Sequence, residues 1–117
     1  MADQFEILAD EHSLVNPGPD GEVSILRQWR AFKAQYPEGV LLFRLGTFWE
    51  AFYADATVVS LLLGKRMNHL AGRPDVPVTG IPAWELDEAV ATLVKGGHRV
   101  ALIEPIKEVS EKKKPTK

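Results

Sequence analysis

Two side chains in the middle of this chain could act together on one flat, polar partner: Phe48 and Glu50, in Thr47-Phe48-Trp49-Glu50-Ala51. Phe48–Tyr53 has the composition of a strand, and on a strand two positions apart means the same face. The pair would then offer an aromatic π-surface for stacking next to a carboxylate that accepts hydrogen bonds, or donates one when protonated. The competing expectation is plain core packing, which is what an aromatic on a strand does more often. Trp49 leaves by the opposite face and is assigned to packing, and Phe43, Phe52 and Trp29 are assigned to the core.

Other chemistry finds little support. There is no cysteine, hence no disulfide, no thiolate and no cysteine-based metal site. His12, His69 and His98 have no ligand spacing that links them. No Ser/His/Asp pattern, carboxylate pair or Gly-x-x-x-x-Gly-Lys-Ser/Thr phosphate loop is present, so neither ATP nor any other cofactor is expected. Glu85, Asp87 and Glu88 open a helix, where acids suit the macrodipole. A nuclease would need clustered carboxylates, and the sequence has none. The chain is expected to be a non-enzyme.

The elements that must hold Phe48 and Glu50 follow from periodicity. Ile25, Trp29, Phe32 and Tyr36 recur at helical spacing, and Pro37 stops the run. Val40–Leu45 is a short apolar run expected to be a buried strand, and Gly46-Thr47 turns it into Phe48–Tyr53. Ala54–Leu63 has helical composition and Gly64 ends it. Lys65–Asn68 is expected as a short edge strand, Ala71–Asp75 as a loop, and Val76–Ile81 as a weak strand interrupted by Pro77. Leu86, Ala89, Val90 and Leu93 form the stripe of a helix that begins just after Pro82 and ends at Gly96-Gly97. Val100–Ile103 is an unbroken apolar run, expected to be covered on both faces. The fold class is α/β: one domain, a small mixed sheet flanked by about three helices.

Charge divides the chain unevenly around a net of −2. Residues 1–23 hold six acidic side chains and no Lys or Arg; all 14 basic residues follow, against 10 acidic ones. Residues 1–21, ending in Asn16-Pro17-Gly18-Pro19-Asp20-Gly21, are expected to be an acidic leader, flexible or loosely docked, with a short helix near Phe5–Leu8 as the alternative. Residues 22–107 form the domain, and 108–117, with Lys112-Lys113-Lys114, a solvated basic tail. No apolar run approaches the roughly 20 residues a membrane helix needs. The acidic start is unlike a secretory signal, so a cytoplasmic location is expected.

The order of these elements carries a resemblance. Lys33-Ala34-Gln35-Tyr36-Pro37, then Leu41-Leu42-Phe43-Arg44-Leu45-Gly46-Thr47-Phe48-Trp49-Glu50-Ala51-Phe52-Tyr53-Ala54-Asp55-Ala56, then Gly80-Ile81-Pro82 and Val100–Glu104 together resemble the N-terminal mismatch-recognition domain of the MutS mismatch-repair family. The likeness runs from residue 24 to about 106. It implies that Phe48 wedges into a duplex beside a mispaired base and stacks on it, while Glu50 hydrogen-bonds that base. Stacking on an aromatic returns roughly 1–3 kcal/mol per base, against an unstacking cost of a few kcal/mol that is lowest where pairing is already poor. Selectivity would come from deformability rather than from sequence.

The resemblance implies double-stranded DNA with mismatches or small loops as the partner, other mismatch-repair proteins as further partners, and association with the bacterial nucleoid when bound. This chain departs from the family in carrying Thr47 where an Asp is usual, Ala83-Trp84 where an aromatic and a His follow Gly-Ile-Pro, and Lys65-Arg66-Met67-Asn68-His69-Leu70 in a shifted basic segment. Lys65, Arg66 and Arg73 are therefore candidates for phosphate contact by type alone, with solvated surface charge as the alternative. A protein-interaction module that keeps the fold and binds little DNA is the competing function.

Overall fold

The computed structural model describes residues 14, 15, 17 and 23–105. Within them, helix α1 (Ser24–Gln35) is followed by strands β1 (Gly39–Leu45) and β2 (Phe48–Phe52), helix α2 (Ala54–Leu63), strands β3 (Asn68–Leu70) and β4 (Arg73–Pro82), a 3-10 turn at Ala83–Glu85, helix α3 (Leu86–Lys95) and strand β5 (Arg99–Ile103). The five strands form one mixed sheet in the order β3-β4-β2-β1-β5; β5 lies parallel to β1 and the other pairs are antiparallel. A mixed sheet with three helices is the α/β class expected from the alternation of periods.

Strand alternation sorts the core into two layers. Leu41, Phe43, Phe52, Val76, Val78 and Ile103 face α1, meeting Ile25 and Leu26, with Trp29 and Phe32 packed alongside. Phe43 stands edge-on to both Phe32 and Phe52, with ring centroids 6.1 Å apart in each pair. Val40, Leu42, Trp49, Ala51 and Ile81 face the other way, onto Ala56 and Val59 of α2 and Ala89 and Leu93 of α3. Phe43 and Phe52 are buried on one face and Trp49 on the other, as strand alternation requires, and Trp29 on α1 is partly buried.

Asp55, 3% exposed, ties the first layer together. It accepts hydrogen bonds from Trp29 Nε1 at 3.1 Å and the Leu41 backbone N–H at 3.2 Å, and an ion pair from Lys33 Nζ at 2.8 Å. One carboxylate thus links α1, β1 and α2, and these donors compensate the cost of removing its charge from water.

Three expectations need correction. The edge strand lies at Asn68–Leu70 rather than Lys65–Asn68. Thr79 on β4 donates its hydroxyl to the Arg66 carbonyl at 2.6 Å, which holds Arg66 in the connection before β3. The Ala71–Asp75 loop is shorter than expected: the reversal is at Ala71-Gly72, with Gly72 at φ +76°, and β4 already begins at Arg73. Pro77 is tolerated inside β4 because the β2 ladder ends at Phe52–Val78: the Pro77 carbonyl accepts from the Tyr53 N–H at 2.9 Å, and its missing N–H falls on that same side, where Tyr53 at φ 58° has left the strand.

The third correction is β5, which is only partly covered: it lies at the sheet's edge, and Val100 and Ala101 are half-buried. Leu102 remains 48% exposed. A continuous apolar run does not reveal whether a second neighbour lies beyond it.

Of the expected leader, the described residues are Leu14, Val15 and Pro17. Leu14 is 1% exposed, inside the α1 layer, and Pro17 forms an isolated bridge with Val23. The remainder of the leader, including the alternative helix near Phe5–Leu8, and the tail 108–117 lie outside the described residues. No described helix is long and apolar enough to cross a membrane.

Candidate functional site

The β1–β2 hairpin turns at Gly46-Thr47, where Gly46 takes φ +63°, a value open to glycine at no steric cost. That tight turn puts Phe48 at the first position of β2, opposite Leu45 on one side and Pro82 on the other. At the strand's end the ring escapes the α1 layer and is 42% exposed. Glu50, two residues on, shares its face, and Phe52, two further, is fully buried beneath α1. The face therefore grades from solvent to core over five residues.

Phe48, Glu50 and Phe52 line one cleft of about 440 Å³, together with Leu45, Val15, Arg66, the β3 strand and Gly80. No α1 residue lines it. That helix covers this face at β1 and does not extend over the end that carries Phe48 and Glu50, where Val15 is among the lining residues. The larger groove, about 870 Å³, runs beside β5 at the far edge of the sheet and includes neither residue.

Room for the Glu50 carboxylate comes from its cross-strand neighbour. Glu50 pairs with Gly80, and a Cβ on Gly80 would lie 3.2 Å from Glu50 Oε2 and 3.4 Å from its carboxyl carbon. The acid group lies across the bare backbone of Gly80. Among the described residues it has no hydrogen-bond partner or ion pair. Burial without a partner pushes its pKa from 4.5 up to about 7. Near neutral pH the group is poised between an acceptor-only carboxylate and a carboxylic acid that can donate.

The three cations singled out by type are not brought together. Lys65 is ion-paired with Glu85 on the other side of the sheet, beside α3. Arg73 forks onto Asp75, with Nε–Oδ1 at 3.2 Å and Nη2–Oδ2 at 3.1 Å, and that pairing holds the exposed Asp75 carboxyl below its usual range. Arg66 alone lines the Phe48–Glu50 cleft, and it is exposed.

Sequence reasoning passed over Arg44 and Trp84. Arg44 pairs with Trp49 across the hairpin, donates from Nε to the Gly46 carbonyl at 2.9 Å, and sets its guanidinium 5.7 Å from the Trp49 ring centroid. Trp84, in the turn after β4, is 79% exposed, which is unusual for so large an apolar ring. The sequence signal for Trp84 was present: an indole in a Pro-led turn outside any apolar stripe.

Comparison with known proteins settles the relationship. The family profile described as MutS domain I matches residues 23–117 of this chain. The chain belongs to the MutS domain I family.

It is 39% identical over 90 residues to the DNA mismatch repair protein MutS of Thermotoga petrophila, an alignment covering 77% of this chain and 11% of that protein. It is 39% identical over 92 residues to the protein of the same name from Aquifex pyrophilus, covering 76% of this chain and 11% of the relative. With the one from Salinibacter ruber the figures are 36% over 93 residues, 78% of this chain and 10% of the relative. The chain thus spans about a tenth of the length of the MutS proteins it matches. The matched region takes in every strand and helix named above, so the likeness to MutS domain I extends over the whole sheet and both faces.

Proposed function

We propose that this chain is a mismatch-sensing DNA-binding domain that serves DNA mismatch repair and carries no catalytic step of its own. Phe48 inserts into a weakened base step and stacks on the mispaired base, and Glu50 hydrogen-bonds the same nucleotide. The observation that carries this reading is the pairing of an exposed ring with an unpartnered carboxyl group in one cleft, at the end of the sheet that α1 does not reach.

The chemistry is consistent with a partner that varies in sequence. A ring stacks on any base, and the cost of opening the step is lowest where pairing is defective. A carboxylate facing a polyanion would be repelled, and the raised pKa of Glu50 relieves this: with a value of about 7, protonation beside phosphates converts it into a donor for a purine ring nitrogen. Arg66, on the rim of the same cleft, is the best placed of the three candidate cations to meet a phosphate. Lys65 and Arg73, already paired with carboxylates, would have to exchange partners to do so.

The deciding experiment measures affinity at low salt for a homoduplex, a G·T duplex and a duplex with one unpaired T, using the wild type and Phe48→Ala. The expected result is a preference for the defective duplexes that disappears in the variant. Equal, weak binding in every combination would overturn the reading in favour of a protein-interaction module that keeps the fold.

A further inference from the structure

The cleft lies on the α1 side of the hairpin. Two exposed groups that the site described above does not use flank the turn that presents Phe48: Arg44 on β1, which shares the α2/α3 face with Trp49, and Trp84 just beyond β4. Both are tied to the turn that presents Phe48. The Arg44 Nε–H is bonded to the Gly46 carbonyl, and the Ala83 N–H donates to the Thr47 carbonyl at 2.9 Å, immediately before Trp84. The first bond fixes the Arg44 side chain to the turn, and the second fixes the backbone that carries Trp84 to the residue before Phe48.

Arg44 is preorganised as well as exposed. Its guanidinium is held over the Trp49 ring, and among the described residues no carboxylate pairs with it. An arginine fixed by a carbonyl and an aromatic face, with its terminal N–H groups directed to solvent, suits a phosphate, since little side-chain freedom remains to be lost on binding. Trp84 has different neighbours. Glu85 is neutralised by Lys65, while Asp87 and Glu88 open α3 with exposed charges. A phosphate over the helix start is therefore disfavoured, and an uncharged, apolar surface suits the indole.

We propose that Arg44 and Trp84, on either side of the turn that presents Phe48, form a second duplex-contacting ledge, with Arg44 pairing with a phosphate and the Trp84 indole packing on a neighbouring deoxyribose. The inference rests on the reading that the chain binds duplex DNA, and it adds a division of labour. The cleft discriminates between duplexes, whereas the ledge holds any duplex in register beside Phe48.

The test uses the full chain with homoduplex and G·T duplex over a series of salt concentrations. Arg44→Ala is expected to weaken both duplexes by about tenfold at low salt and to flatten the slope of log affinity against log salt by about 0.9, one phosphate's share. The ratio between the two duplexes should be unchanged. Arg44→Lys, which keeps the charge and loses the fork, should recover the slope and part of the affinity.

Trp84→Ala should weaken both duplexes at an unchanged slope. In the wild type, bound duplex should shield tryptophan emission from acrylamide, and Trp84→Phe should remove that shielding, because Trp49 is buried and Trp29 partly so.

If the wild type binds and Phe48→Ala abolishes its preference, yet the Arg44 and Trp84 variants bind like wild type, the ledge is refuted and the sensor stands. If the ledge variants change the duplex ratio instead of the common affinity, the division of labour is refuted. Absence of any duplex binding by the wild type overturns both readings.

Discussion

The carboxyl group of Glu50 lies against the backbone of Gly80, its cross-strand partner, so closely that a single methyl group there would reach within 3.2 Å of Oε2. The glycine is the seat of the acid. Gly80→Ala should fold, since φ at this position is not in the left-handed region and alanine is favoured over glycine in a strand by roughly 0.5–1 kcal/mol. That gain offsets the displacement of a flexible side chain by a few tenths of an ångström. The expected outcome is a melting temperature within a few degrees of wild type and a reduced preference for the G·T duplex. Loss of stability without loss of preference would show that the acid does not need this seat.

Glu50 should also leave a signature in pH. Its folded-state pKa of about 7 lies above the 4.5 of the exposed group, so the folded form binds the proton more tightly than the unfolded form. Stability contributed by the protonated acid is complete below about pH 4.5 and is lost as pH rises through 7. The shift sets an upper bound of about 3 kcal/mol, reduced by the water that reaches the cleft. Glu50→Gln, neutral throughout, should match wild type near pH 4.5 and exceed it at pH 8. Urea unfolding of both proteins across that range reads the difference, and a constant difference would refute the shifted pKa.

Asp55 offers a test of the fold. Removing it leaves the Trp29 indole N–H and the Leu41 amide without their acceptor and takes the anionic partner from Lys33, whose ammonium keeps its bond to the Gly39 carbonyl. Asp55→Ala should cost about 2–6 kcal/mol in urea unfolding, at about 1–3 kcal/mol for each of the two N–H donors left unsatisfied. Asp55→Asn keeps acceptor capacity on one atom and should cost less. Equal losses for the two variants would argue that shape rather than hydrogen bonding matters there.

Leu14 tests whether the segment before α1 belongs to the domain. It is 1% exposed and belongs to the α1-layer core, so Leu14→Ala should lower stability by about 2–4 kcal/mol. Deleting residues 1–21 should cost at least as much, because it removes Leu14 and the Pro17–Val23 bridge as well. A truncated chain as stable as wild type would refute a structural role for the segment, and its DNA affinity would then report only on competition for the binding face.

The sequence alone determined whatever depends on backbone period. Helical spacing of Ile25, Trp29 and Phe32 placed α1, the glycine after Leu45 placed the hairpin, and the two-residue rise of a strand put Phe48 and Glu50 on one face with Trp49 on the other. These are local geometric facts, fixed within a few residues.

Tertiary structure decided everything that depends on which neighbour lies alongside. That Val100–Ile103 is an edge follows from strand order, and no apolar run encodes what lies beyond it. That Asp55 is a buried hub follows from α1 crossing β1 at Lys33 and Trp29. That Phe48 is open to solvent follows from α1 stopping short of the hairpin end. That Glu50 is left without a partner, with its pKa raised, follows from a register that sets Gly80 opposite and keeps Arg66 at the rim. Burial and pairing are properties of contacts between residues from 14 positions apart (Leu41 and Asp55) to 60 (Val40 and Val100), and only the folded sheet brings those together.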